Sequence, residues 1–353
     1  LKNNMKLSLI FCCYNVSKYL DGIYKWLCEQ PYQNIEVIFV EDCATDDTKE
    51  RLFSLVHDPR MKIVENPRNL GLSESRNIGL KHATGDYVGF PDPDDQFDAN
   101  WLLEIADIAK NNNINVIITG MREDYETNDK LEFSRDIISK FSGVITRNNI
   151  FEALVDLEQS FLLGYMNNKF YNREFLIENR FSCKSLALKE DFEFNINVFS
   201  KVDSLYILNK PYYFYKKRTN GNTLTSKFVP EYFDIHMDTL LQFKSLLEVY
   251  QSNLSKQSEI LLVNRFVRYF LSSIERNTNK SAGLTFNDQK KWIESIFSNS
   301  KYNYFLERLD LITGKIKIIK CIFSARFSWF LVILGNAIKY LKANLPILFA
   351  KLK

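Results

Sequence analysis

No glycine-rich loop follows the first apolar run of this chain: neither G-x-G-x-x-G nor G-K-[ST] stands there. That sets aside the nucleotide-binding folds that cradle phosphates on such loops. Paired cysteines are missing too. The six, at 12, 13, 28, 43, 183 and 321, show no C-x-x-C spacing, which argues for a reduced cytosolic compartment and against a zinc site or a disulfide framework. Charge of one sign is not in excess, with 46 Lys and Arg against 43 Asp and Glu and a net charge of +3. A nucleic-acid footprint would have to be local, and no basic or RNA-binding signature appears, so no nucleic-acid partner is expected. There is no internal repeat and no low-complexity tract. Residues Leu1 to Lys6 carry no secretory leader, so the chain is expected inside the cell.

What is present is enough for a large core. With 353 residues, 46% hydrophobic and 25% charged, the chain has material for one substantial domain and a second, smaller unit. Apolar runs at Leu7–Phe11, Ile35–Val40, Met61–Val64, the stretch ending at Phe90, and Val116–Thr119 read as strands. Helical periodicity lies between them: Tyr19, Leu20, Ile23, Trp26 and Leu27 form one stripe, and helices are expected to about Val56, over Ser73–Ala83 and over Trp101–Lys110. Strands alternating with helices at this spacing predict βαβ units on a mostly parallel sheet, which binds ligands at the carboxyl ends of its strands. Between Arg122 and Phe141 the pattern is polar and reads as a loop or insertion. Beyond Pro230 only helical periodicity remains.

The most informative feature is Asp92-Pro93-Asp94-Asp95, directly after the apolar run Tyr87–Pro91. A carboxylate cluster at the exposed end of a buried strand suits a hard divalent cation bridging a diphosphate. A solvated turn is the competing reading, because Asp and Pro are common turn formers. A second acidic turn, Glu41-Asp42-Cys43-Ala44-Thr45-Asp46-Asp47, follows the second strand. The topology brings both to one rim.

Four ordered segments carry a resemblance. Ile10–Asn15, Val40–Thr48, Asn69–Leu80 and Thr84–Asp95 resemble the inverting glycosyltransferases of family 2, which have the GT-A fold, over roughly residues 5 to 220. The resemblance implies an α/β, Rossmann-like domain at 1–225 with a helical region at 226–353. It implies a hexosyl- or N-acetylhexosaminyltransferase that moves a sugar from a nucleotide-sugar, expected to be a UDP-sugar, with Mn2+ or Mg2+ as cofactor. The acceptor is expected to be a hydroxyl of a glycan or lipid-linked saccharide in surface-polysaccharide synthesis. Asp42, with Glu41 beside it and Tyr14 as a wall, matches the nucleotide-base site. Asp92 and Asp94 match the D-x-D, the first meeting the ribose and the second the metal. Arg76 matches the Arg near the nucleotide, and Asp191 of Lys189-Glu190-Asp191 the catalytic base. Lys216 and Arg218, in Pro211–Arg218, match the cations that clamp the diphosphate. This chain departs from that last pattern: Phe214 stands where His is frequent and Lys216 where Arg is frequent, and Phe cannot ligate a metal. A catalytically silent glycan-binding or scaffolding protein of the same fold is the alternative.

The tail differs from the rest. From Leu311 to Lys353 there is no Asp or Glu, while Lys315, Lys317, Lys320, Arg326, Lys339, Lys342, Lys351 and Lys353 punctuate a tract of Ile, Phe, Leu and Trp329. Its longest charge-free run, Phe327 to Ile338, falls short of the ~20 residues needed to span a bilayer. Peripheral contact of the stretch 314–353 with an anionic membrane at its cytoplasmic face is therefore expected. A helical cap or an oligomer interface is the other reading.

Overall fold

Leu7–Cys13 (β1) is buried at every position but one, because it lies at the middle of the sheet with a parallel neighbour on each side. Ile35–Glu41 (β2) pairs with it along its whole length, and Tyr87–Gly89 (β4) pairs on the other side. Met61–Glu65 (β3) extends the parallel block beyond β2. The remaining strands are Gln96–Phe97 (β5), Val116–Thr127 (β6), Lys130–Ile137 (β7), Gly143–Thr146 (β8), Lys169–Asn172 (β9) and Ser204–Arg218 (β10). The sheet order is β3-β2-β1-β4-β9-β6-β10-β5, with β7 beside β6 and β8 beside β10. This is a computed structural model, and it describes residues 5–127, 130–218, 229–314 and 320–344.

The helices that cover this sheet are Leu20–Cys28 (α1), Thr48–Leu55 (α2), Leu72–His82 (α3), Trp101–Asn111 (α4), Ile150–Gln159 (α5), Arg173–Glu178 (α6) and Glu190–Phe199 (α7). Most bury one face, as their periodicity requires, while α5 and α7 are buried nearly all round. Trp101, fully buried, anchors an aromatic cluster with Phe97 at 5.5 Å, Phe170 at 5.1 Å and Tyr213 at 5.7 Å between ring centres. That cluster ties α4, β5, β9 and β10 together.

The amino ends of the parallel strands are held by one acid. Glu36 accepts from Ser8 Oγ at 2.6 Å, Thr84 N at 2.5 Å and Gly85 N at 3.0 Å, and pairs with Lys6 at 3.2 Å. Burial raises its carboxyl, but the Ser8 and Thr84 hydrogen bonds and the Lys62 charge outweigh burial and hold it down at about 2, against an ordinary 4.5. A depressed carboxyl stabilises the fold above the ordinary value and loses that contribution as pH falls from there through about 2. Glu36→Gln is therefore expected to cost about 2 kcal/mol at pH 7. Urea unfolding at neutral pH and at about pH 3 checks this, the gap between wild type and variant narrowing in acid.

Two strands correct the sequence reading. The stretch expected to be an insertion after Arg122 is a hairpin in which β6 continues to Thr127 and β7 returns antiparallel. Its alternation is masked because an inward-facing position is Glu123, buried and neutralised by Arg135 from β7 at 2.7 Å and by Lys217 from β10. β10 hides behind Pro211, whose interruption of the ladder is absorbed as a register shift on either side.

The chain divides into two compact units, residues 1–220 and 221–353; the boundary expected at 225 lies outside the described residues. The second unit is helical: Tyr232–Tyr250 (α8), Lys256–Asn277 (α9), Phe286–Ser298 (α10), Asn303–Leu306 (α11), Lys320–Ser324 (α12) and Ser328–Asn344 (α13). Within it α13 buries Leu331 and Val332. Gly335 lets it lie tight on α9, since a Cβ there would meet Ile274 Cγ2 at 2.6 Å. Among the described residues no helix is long and apolar enough to cross a membrane. Lys315, Lys317, Lys351 and Lys353 of the basic tail lie outside the described residues.

Candidate active site

Four loops meet at the carboxyl edge of the parallel strands. β1, β2 and β3 end in register at Cys13, Glu41 and Glu65, and the Asp92–Asp95 turn follows β4 three residues on. Arg76, on α3, lies 2% exposed among them. Its guanidinium pairs with Asp191 at the start of α7 and lies 3.8 Å from Asp92. A buried cation is tolerated only when paired, and here two carboxylates from distant parts of the chain supply the pairing. Burial pushes the Asp92 carboxyl up to about 6, Arg76 pulls against this, and Asp191 and Asp94 add repulsion.

The acidic turn after β2 is built differently from an open pocket. Asp42, 3% exposed, accepts from Asn66 Nδ2 at 2.7 Å, Leu70 N at 2.7 Å and Gly71 N at 2.9 Å. Gly71 has φ of 83°, a left-handed value that glycine adopts without strain. Glu41 accepts from Ala44 N at 2.6 Å. Both acids thus spend oxygens on the loops that frame the rim. Asn15 Oδ1 holds Thr45 N at 2.8 Å, and Tyr14 beside it is 45% exposed, an open aromatic face at the same edge.

The stretch 162–169 joins the two carboxylate clusters. Asn167 Nδ2 donates to Asp92 Oδ2 at 2.8 Å, and Met166 N lies 3.4 Å from Asp191 Oδ2. Lys169 pins this stretch from below: its fully buried ammonium donates to Leu162 O at 2.7 Å, to Asn168 Oδ1 at 3.0 Å and to Tyr165 O. Burial pulls the Lys169 group down to about 7, and the Asp191 charge opposes that. Three acceptors around one nitrogen favour the ammonium, which has three protons to give.

β10 supplies the last side. Tyr213 and the Lys216 backbone engage Asp95, while the Lys216 ammonium is 3.6 Å from Glu126. Phe214 faces the Arg122 guanidinium at 5.3 Å. The side chain of Arg218 lies outside the described residues. At α7, Lys189 caps the helix with φ of 67°. Glu190 is raised by burial and by its neighbour Asp191. Asp191 remains half-buried at the helix start, where a carboxylate is favoured by the helix dipole.

The sequence pattern of Glycosyl transferase family 2 matches residues 8–178, the segment holding the acidic turn after β2, Arg76, the Asp92–Asp95 turn and Asn167. The chain carries a family 2 glycosyltransferase domain. The enzyme is 26% identical to the uncharacterized glycosyltransferase EpsJ of Bacillus subtilis over 67% of its own length and 68% of that relative's. It is 24% identical to the poly(ribitol-phosphate) beta-N-acetylglucosaminyltransferase TarS of Staphylococcus aureus over 83% of its length, spanning about half (48%) of TarS. Its structure matches the crystal structure of S. aureus TarS 1-349 in complex with UDP-GlcNAc with a TM-score of 0.65 at 20% identity, covering 95% of this chain and 92% of that one. That likeness establishes the GT-A fold of the glycosyltransferase.

Asn167, Tyr213 and Lys169 were not singled out by sequence reasoning as parts of the site. Asn167-Asn168-Lys169 stands as a polar run between Met166 and Phe170, and that placement is the signal that marks it.

Proposed function

We propose that this glycosyltransferase moves a sugar from a UDP-sugar, with inversion, to a hydroxyl of a glycan or lipid-linked saccharide during synthesis of a cell-surface polysaccharide. One observation carries the reading: Arg76 is paired with Asp191, 115 positions away, and faces Asp92, so the acids matched to donor and base share one rim. UDP-GlcNAc in the TarS complex and the product named for TarS make an N-acetylhexosamine donor the first to test.

In this reading the base lies between the Glu41–Asp42 turn and Tyr14. Asp42 shapes the pocket by ordering residues 70–71, and Glu41 by ordering residue 44. The Asp92–Asp95 turn offers the hard oxygens that Mn2+ or Mg2+ prefers, and a carboxyl raised by burial, as Asp92 is, is relieved by a cation. Among the described residues no group of three or more His, Cys, Asp or Glu is arranged to hold a metal alone, so the remaining ligands would come from the diphosphate, with Asp94 as the protein's contribution. Such an ion, when bound, would neutralise charge on the departing nucleoside diphosphate. Asp191 accepts the proton of the acceptor hydroxyl as that oxygen attacks. Arg76 and the Met166 N–H hold the Asp191 carboxylate in place, and Lys216 and Arg218 are the cations this reading assigns to the diphosphate, Lys216 exchanging its Glu126 partner for it.

Thermal unfolding with UDP, GDP or CDP, each with and without Mn2+, tests the donor class. UDP with Mn2+ at about 100 times its dissociation constant should raise the midpoint by roughly 2–4 °C. An equal response to all three nucleotides, or to none, would contradict the reading.

In the same proposal, the membrane contact would be made by α13. Its outer face exposes Trp329 at 50%, Ile333 at 49% and Tyr340 at 68%, with Phe330 and Leu341 beside them. Arg326, Lys339 and Lys342 lie along the same helix or at its start, and no acid follows Asp310. Removing the tail would strip α9 of the close approach at Gly335, so substitution is the cleaner probe. Trp329→Glu with Phe330→Glu should abolish cosedimentation with phosphatidylglycerol vesicles and leave the unfolding midpoint unchanged. Binding that survives the double change would remove α13 as the contact.

A further inference from the structure

The Asp92–Asp95 turn is closed on itself and hung from one hydroxyl. Asp95 N donates to Asp92 O at 3.3 Å. Tyr213 OH accepts from Asp92 N at 3.1 Å and donates to Asp95 Oδ2 at 2.6 Å, so a single oxygen grips both ends of the turn. Lys216 N donates to the other Asp95 oxygen at 3.2 Å. The Tyr213 ring is fully buried against Phe97 at 5.3 Å and Trp101 at 5.7 Å, and it pairs with Phe97 in the β10–β5 ladder. Hydroxyl, ring and backbone are therefore all fixed.

We propose that Tyr213 is a positioning residue for the diphosphate site: its hydroxyl, gripping Asp92 N and the Asp95 carboxylate together, sets the place from which Asp94 meets the metal and diphosphate. The inference rests on the donor site proposed above. Asp95 then serves as an anchor rather than a ligand, because Tyr213 and the Lys216 N–H already occupy both of its oxygens. Asp94 stands between the two gripped residues in the turn. A ligand held on a turn whose supporting hydrogen bonds are already made needs little ordering when the ion arrives.

Calorimetric titration of UDP into the whole chain, with and without Mn2+, tests this. Wild type is expected to bind UDP more tightly with Mn2+. Tyr213→Phe keeps the ring and its aromatic cage but frees the turn, and should lower the Mn2+-dependent tightening roughly ten-fold while metal-free affinity holds within about two-fold. Asp95→Ala should reproduce that loss, and the double variant should be no worse than either single one. Asp95→Asn should keep most of the tightening, since its amide can accept from Lys216 N–H and donate to the Tyr213 oxygen. If Tyr213→Phe fails to fold, Asp95→Ala carries the same comparison. Full Mn2+-dependent tightening in a folded Tyr213→Phe or Asp95→Ala would overturn the proposal, as would parallel loss of both affinities. A wild type whose UDP affinity ignores Mn2+ would instead remove the metal site, and this inference with it.

Discussion

Asp191→Asn is expected to lower sugar transfer by roughly 10³-fold while UDP binding stays within about two-fold of wild type. The substitution keeps the shape and one acceptor oxygen, so Arg76 retains its partner while the Met166 N–H, bound to the other oxygen, loses its acceptor. It removes the capacity to take a proton from the acceptor hydroxyl. Arg76 keeps Asp92 as a second carboxylate at 3.8 Å, and the stability cost should therefore stay at about 1–2 kcal/mol. Transfer and UDP affinity measured on the same preparation check this: full transfer with intact UDP binding would mean that another group accepts the proton, and Glu190 would be the next to examine.

Asp94→Ala should fall almost as far, by about 10²–10³-fold in transfer, through a different route. Here UDP affinity itself should lose its dependence on Mn2+, and added Mn2+ should no longer restore activity after EDTA treatment. The contrast separates the two acids: Asp191→Asn spares donor binding and Asp94→Ala does not. An Asp94→Ala protein that still responds to Mn2+ would place the ion elsewhere on the rim.

The parallel half of the fold was legible because its strands are buried on both faces and read as unbroken apolar runs, as Leu7–Cys13 and Ile35–Glu41 do. The β6–β7 hairpin was not, since Glu123 occupies an inward position and only Arg135 and Lys217, remote in sequence, make that tolerable. The site divides along the same line. Acids at strand ends announce themselves, and Asp92, Asp94 and Asp191 could be picked out one by one. What holds them together could not: Arg76 matches an Arg near the nucleotide, but its pairing with Asp191 and Asp92 shows only in the fold. Lys169 reads as surface charge until three acceptors close around it. Tyr213 reads as one aromatic among several until its hydroxyl is seen between Asp92 and Asp95. Asp42 shows the converse, a residue whose type was plain and whose immediate partners, the amides of Leu70 and Gly71, were set by a loop 28 residues away.

The central claim is that these carboxylates frame one donor cleft at the carboxyl edge of the sheet. Crystals grown with UDP and Mn2+, measured at the manganese absorption edge, test it most directly. The account predicts one anomalous peak between the Asp94 carboxylate and the diphosphate, with the uracil beside Tyr14 and the Asp42 turn. UDP bound away from the Asp92–Asp95 turn, or manganese in contact with none of its acids, would contradict it.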